Sequence, residues 1–180
     1  MTKRTMGVLT GSLVNSIVVD LTPEQERMVI AIDTYSFDKV LERIRKDGRV
    51  PEGLVDEAVV EFKRFLTLIA LGHHQVGMTS EAVDEIWHTH ILFTVDYTAF
   101  CDEVFGFYIH HFPDTSLSPI MPGSGERFFS AYEQVFGKTP PAIWGQRSDC
   151  DRCSGSTACQ SSPGGCDSGN CNVGGGEGDK

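Results

Sequence analysis

The chain has 180 residues, 40% of them hydrophobic, and a formal net charge of −10. A chain of this length and composition can bury a full core as one domain without disulfide staples. Its acidic charge, with no basic stripe, argues against a nucleic-acid partner. No apolar run reaches the roughly 18 residues that a transmembrane helix needs, so no membrane span is expected.

Helix-capping signals predict where the first elements begin and end. Thr22, Pro23 and Gln25 have the spacing of a Thr-x-x-Gln capping box with proline in the first turn, which predicts the start of a helix. Gly48 follows a cation in the last turn of a second segment, as is typical of a helix end. Residues 54–71 carry apolar side chains at helical spacing and predict the next helix.

Thr79 or Ser80 is expected to cap a further helix that ends near Gly106, and a last helix is expected at about residues 126–136. These elements predict an all-α fold, a small bundle of four to five helices. The predicted organisation is an N-terminal arm at residues 1–20, a helical domain at residues 21–144 and a disordered tail at residues 145–180.

The tail is rich in Cys, Gly and Ser and has too few apolar residues to offset its ordering entropy. Only Cys101 lies in the body, which favours a reducing, cytoplasmic compartment over a secreted disulfide framework. The tail thiols are candidates for a zinc site, for loose soft-metal binding or for redox sensitivity. They are Cys150, Cys153, Cys159, Cys166 and Cys171.

Histidines are concentrated between residues 83 and 113. The segment contains Asp-Glu-Ile-Trp-His-Thr-His-Ile-Leu at residues 84–92, then Tyr97 and Cys101, then Phe-Gly at 105–106 and His-His-Phe-Pro at 110–113. Together with the helix that precedes it, this pattern resembles a family of bacterial-type, largely uncharacterised proteins related to the glycine-rich domain-containing proteins, over roughly residues 21–136. The resemblance implies a small helical domain and a candidate site, with no established activity.

Helical spacing indicates which of these residues can share a site. Asp84 and Glu85 lie four and three residues before His88, so either carboxylate can meet that imidazole on one helix face. His90 lies about 200° around the helix from His88, which makes it the weaker candidate. His110 and His111 follow a helix end, where irregular backbone lets one of them turn towards His88.

A site of two histidines and one carboxylate, drawn from these residues, suits Zn or Fe(II). The leading hypothesis is therefore a helical protein that binds a metal ion, with a thiol-rich tail that delivers or buffers metal. A dinuclear carboxylate site would need a second Glu-x-x-His pair. The alternative is a non-catalytic interaction or scaffold module that binds a protein partner and whose histidines are structural. No catalytic triad, phosphate loop or dinucleotide fingerprint is found in the sequence.

Overall fold

A computed structural model describes residues 13–112, 117 and 121–147. These residues form α-helices and short 3₁₀ turns with no strand among them, so the predicted all-α fold is confirmed. The helices are α1 (Pro23–Thr34), α2 (Asp38–Asp47), α3 (Glu52–Ala70), α4 (Glu81–Leu92), α5 (Thr94–Val104) and α6 (Ser124–Phe136), with 3₁₀ turns at Leu13–Ser16 and Ala142–Trp144.

The predicted capping signals are confirmed at three helix ends. The Thr22 hydroxyl accepts a hydrogen bond from the Gln25 N–H at 3.2 Å, and the Gln25 side chain accepts one from the Thr22 N–H at 3.0 Å. Gly48 has a φ of 66°, the left-handed conformation that glycine adopts without strain at a helix end. The Ser80 hydroxyl caps α4 by accepting from the Val83 N–H at 3.3 Å.

The single helix expected from Ser80 to about Gly106 is wrong, because two helices meet at Phe93. The backbone of Phe93 leaves the helical region, with φ −84° and ψ 62°. The Trp87 indole N–H donates to the Tyr97 hydroxyl at 3.0 Å. Ten residues along a straight helix would separate these groups by about 15 Å. The bend at Phe93 is therefore what folds α5 back so that the two side chains meet.

Helix α3 lies at the centre of the core. Its buried residues come from several faces, because α1, α2, α4 and α6 all pack against it. The buried side chains of α3 include Val55, Ala58, Phe62, Phe65, Leu66, Leu68 and Ile69. Helix α4 packs against α3 and also contacts α2 and α5.

A buried carboxylate joins the end of the described chain to α3. The Glu61 carboxylate, 1% exposed, accepts from the Trp144 indole N–H at 2.7 Å and from the Tyr132 hydroxyl at 3.0 Å. Arg64 pairs with the same carboxylate. The indole of Trp144 is itself buried, so the helical core extends to that residue.

The two predicted terminal segments are described only in part. Within the predicted arm, Leu13 is buried and the Val18 N–H donates to the Val135 carbonyl at 2.8 Å. The predicted disordered tail and its five cysteines lie outside the described residues, apart from residues 145–147. Among the helices that the structure describes, none is long and apolar enough to cross a membrane.

Candidate metal site

Three of the predicted ligand residues converge at one place on the surface. Asp84 and His88 lie one turn apart on α4, and His111 lies in the segment that follows α5. Asp84 Oδ1 is 2.9 Å from His111 Nε2, and Asp84 Oδ2 is 3.6 Å from His88 Nε2. One ligand atom from each residue lies within 4.8 Å of the other two. Two imidazoles thus face a single carboxylate.

The packing of α4 on the core decides which side chains remain available. Val83, Ile86, Trp87 and His90 are buried on the inner stripe of α4. Asp84 and His88 share the next face, because residues four apart lie above one another on a helix. Their side chains are 27% and 43% exposed.

The position of His111 depends on Trp87 and Tyr97. The His111 ring packs edge-on against the Trp87 indole with centroids 4.6 Å apart. The Tyr97 hydroxyl accepts from the Trp87 indole N–H and donates to the Ile109 carbonyl at 2.5 Å, two residues before His111. Burial raises the pKa of the Tyr97 hydroxyl, so it keeps the proton that it donates. These contacts hold the chain where His111 reaches α4.

The two histidine side chains of the cluster differ in solvent exposure. The His111 side chain is only 13% exposed, whereas that of His88 is 43% exposed and lies with its ring centroid 4.5 Å from that of His111. A group bound between the imidazoles would therefore be enclosed on the His111 side and accessible from the His88 side. Two imidazole nitrogens and a carboxylate oxygen are donors that Zn²⁺ and Fe²⁺ both accept.

Two of the candidate ligands lie away from this cluster. Glu85 forms an ion pair with Arg49 at 2.5 Å, because neighbouring residues on a helix point about 100° apart and Asp84 already faces the histidines. His110 is exposed and packs beside Tyr108, with ring centroids 4.8 Å apart, while the next residue turns inward. Of the two carboxylates and the two adjacent histidines, Asp84 and His111 are the ones that lie close to His88.

His90 is the buried histidine of α4, and His88 is the accessible one. His90 is 0% exposed, its Nε2 lies 3.2 Å from the Tyr35 hydroxyl, and its Nδ1 has no hydrogen-bond partner among the described residues. Burial lowers the pKa of His90 to about 4, which keeps it neutral near pH 7.

Sequence reasoning missed the roles of Trp87 and Tyr97 as supports of the site. Their contact spans the bend at Phe93, for which helical periodicity gives no signal. The inward direction of His90 did have a signal. It continues the spacing of Val83, Ile86 and Trp87, the i, i+3, i+4, i+7 pattern of one buried face.

Comparison with known proteins gives a family for the chain and no activity. A family model described as UCP032817-like matches residues 27–125, more than half of the chain and a range that contains the whole cluster. No curated protein and no solved structure matches. The expected resemblance to the glycine-rich domain-containing proteins is wrong, since the matching family is a different one.

Proposed function

The chain belongs to the UCP032817-like family, and we propose that it binds one divalent transition-metal ion through Asp84, His88 and His111. The observation that carries this proposal is the convergence of two imidazoles on one carboxylate. These residues come from two separate segments of the chain, so sequence proximity alone does not account for their meeting. Zinc is the first candidate ion and iron(II) the second.

The interatomic distances suit a small metal ion. Donor atoms about 2.1 Å from a tetrahedral zinc lie roughly 3.4 Å from one another. The two distances from Asp84 oxygens to histidine Nε2 atoms are 2.9 and 3.6 Å, on either side of that value. The two distances involve different Asp84 oxygens, and one ligand atom from each of the three residues lies within 4.8 Å of the other two. Side-chain rotations that bring these three atoms closer together would therefore complete a three-ligand site.

The exposure of His88 gives the proposed ion an open position. A zinc ion with three protein ligands keeps a fourth position for water or for a substrate oxygen. Such an ion would act as a Lewis acid and lower the pKa of its bound water. Here the open side would lie beside His88, whose side chain is 43% exposed. The proposal covers the binding of the ion and of an oxygen ligand.

A structural role for the histidines is the competing function, and one observation favours it. His111 Nε2 and Asp84 Oδ1 are at hydrogen-bond distance, 2.9 Å, and the His111 ring packs on Trp87. In that case the pair would hold the segment after α5 against α4, as part of a protein-interaction module. His88 separates the two functions, because its accessible ring is needed for a metal ion and contributes little to packing.

The test is a zinc titration of the full chain by isothermal titration calorimetry, with the metal content measured after dialysis. All five tail cysteines are replaced by serine, so that the tail thiols cannot bind the added zinc. Those replacements are at Cys150, Cys153, Cys159, Cys166 and Cys171. We expect one zinc per chain, with affinity reduced at least about 100-fold in His88→Ala, since a direct ligand is lost. The same titration with iron(II) under nitrogen ranks the two ions.

His110→Ala is the matched control, because it removes an exposed histidine that is adjacent to His111 but lies outside the cluster. We expect it to bind zinc as the parent does. The proposal fails if the parent binds no zinc at micromolar concentration, or if His88→Ala binds as tightly as His110→Ala. A lower melting temperature in His88→Ala without any zinc binding in the parent would favour the structural function.

A further inference from the structure

A cavity of about 240 Å³ lies at the bend between α4 and α5. One wall is formed by the connection between α1 and α2 and by the first turn of α2, and the other by the end of α4, the bend itself and the first turn of α5. The lining residues include Tyr35, Lys39, Val40, His90, Phe93 and Asp96. None of them belongs to the proposed metal site, so the cavity is a separate feature of the fold.

The Tyr35 hydroxyl and the His90 imidazole form a polar pair in this cavity. The hydroxyl lies 3.2 Å from His90 Nε2, whereas His90 Nδ1 has no hydrogen-bond partner among the described residues and the residue is 0% exposed. One hydrogen bond joins the two groups. In either tautomer of the neutral ring, the pair therefore keeps one unused donor hydrogen and at least one unused lone pair. Buried polar groups are rarely left unpaired, so a ligand that completes these hydrogen bonds would be favoured.

The lining residues carry no net charge near pH 7. Lys39 Nζ lies 2.7 Å from Asp96 Oδ2, an ion pair between α2 and α5 in which the two charges cancel. Burial lowers the pKa of His90 to about 4 and raises that of the Tyr35 hydroxyl, so both groups are neutral at pH 7. A charged ligand would lose its hydration here without meeting a free opposite charge. The cavity therefore favours an uncharged ligand.

Flat rings make up much of the remaining wall. The rings of Tyr35, His90 and Phe93 line the cavity together with the side chain of Val40. Aromatic ligands make favourable edge-to-face and offset-stacked contacts with such rings. An engineered apolar cavity of about 150 Å³ in another protein binds benzene, so a cavity of about 240 Å³ has room for a six-membered ring with a polar substituent.

We propose that this cavity binds a small uncharged aromatic molecule whose hydroxyl group forms hydrogen bonds with the pair of Tyr35 and His90, phenol being the simplest member of the class. A hydroxyl both donates and accepts, so it matches the unused hydrogen and lone pair in either tautomer. The ring of the ligand would contact Val40 and Phe93. This inference does not depend on the proposed metal site.

The test follows the methyl NMR signals of Val40 in the full chain, labelled with ¹³C in its valine methyl groups, during titrations with phenol, benzene and benzoate at pH 7. We expect a saturable shift with phenol and a dissociation constant on the order of 0.1–1 mM. Benzene should bind at least about 10-fold more weakly, because it cannot form hydrogen bonds with the polar pair. Benzoate should also bind at least about 10-fold more weakly, because its charge would lose hydration in the cavity.

Two variants locate the binding at the polar pair. Tyr35→Phe removes one hydroxyl and should lower the affinity for phenol at least about 10-fold. Tyr108→Phe is the matched control, because it removes a hydroxyl that lies outside the cavity, and we expect it to bind phenol as the parent does.

Three results would overturn the inference: no saturable shift of the Val40 signals with phenol, benzene or benzoate binding to the parent as tightly as phenol, or parental affinity for phenol in Tyr35→Phe. The comparison of the three ligands uses only the parent chain, so it remains decisive if Tyr35→Phe does not fold. Zinc is absent from these titrations, and failure of the chain to bind zinc would change none of the expected results.

Discussion

Replacing Tyr97 by phenylalanine tests whether one buried hydroxyl supports both the fold and the site. Tyr97 is 0% exposed, and its hydroxyl joins the Trp87 indole N–H to the Ile109 carbonyl at 3.0 and 2.5 Å. Trp87 and Ile109 are themselves 6% and 8% exposed, so water has little access to the groups that would lose their partner. The phenyl ring keeps the packing and removes only the oxygen.

The expected cost follows from the two groups left unpaired. A buried polar group without a partner costs about 1–3 kcal/mol, so the loss of two partners should lower the free energy of unfolding by about 2–6 kcal/mol in Tyr97→Phe. For a domain of this size, that is a decrease of roughly 10 °C in melting temperature. Loss of the tether at Ile109 should also displace His111 and weaken zinc binding about 10- to 100-fold, as changes next to metal ligands do.

Chemical denaturation and a zinc titration, each performed on Tyr97→Phe and Tyr108→Phe, measure the two effects. Tyr108 is adjacent to Ile109 but 38% exposed, and its hydroxyl has no hydrogen bond to the described residues. We expect Tyr108→Phe to change stability by less than about 0.5 kcal/mol. A Tyr97→Phe variant as stable as this control would refute the reasoning about the buried hydroxyl. A destabilised variant with unchanged zinc affinity would refute the proposed link to His111.

Substitutions at three further residues test other parts of the structure. His90→Ala should lower the free energy of unfolding by about 2–4 kcal/mol, because it opens a cavity among buried rings. Its zinc affinity should stay within about threefold of the parental value, and a large loss of zinc binding would instead assign His90 to the site. In urea denaturation, Glu61→Ala should lower the free energy of unfolding by about 3–5 kcal/mol, because Arg64 and Trp144 lose a buried partner. Glu61→Gln should lower it by only about 1–3 kcal/mol. Equal decreases in the two variants would argue against a role for the negative charge. Glu85→Gln breaks only a partly exposed ion pair and should change the free energy of unfolding by less than about 1 kcal/mol. We expect it to bind zinc as the parent does. Weaker zinc binding in calorimetry would place Glu85 among the ligands.

The helices could be predicted from sequence where short-range chemistry determines them. The capping box at Thr22 and the left-handed Gly48 depend on residues within one turn, and both are confirmed. The bend at Phe93 could not be predicted, because the apolar spacing continues through it. The hydrogen bond between Trp87 and Tyr97 spans the bend and joins residues on two different helices, so it is not encoded within a single turn.

In the candidate site, too, some features could be predicted from the sequence and others could not. The pairing of Asp84 with His88 follows from helical spacing, and so does the inward direction of His90, which continues the stripe of Trp87. The approach of His111 depends on an irregular segment of the chain, where a backbone carbonyl meets a distant tyrosine hydroxyl. No local pattern encodes that contact, and sequence alone therefore left His110 and His111 as alternatives.

The most direct test of the metal site is a crystal structure of the full chain with one equivalent of zinc, with diffraction data collected on both sides of the zinc absorption edge. We expect one anomalous difference peak about 2.0–2.2 Å from Nε2 of His88, Nε2 of His111 and one oxygen of Asp84. The contradicting result is a chain that contains zinc but has no peak at this place, with His111 still hydrogen-bonded to Asp84.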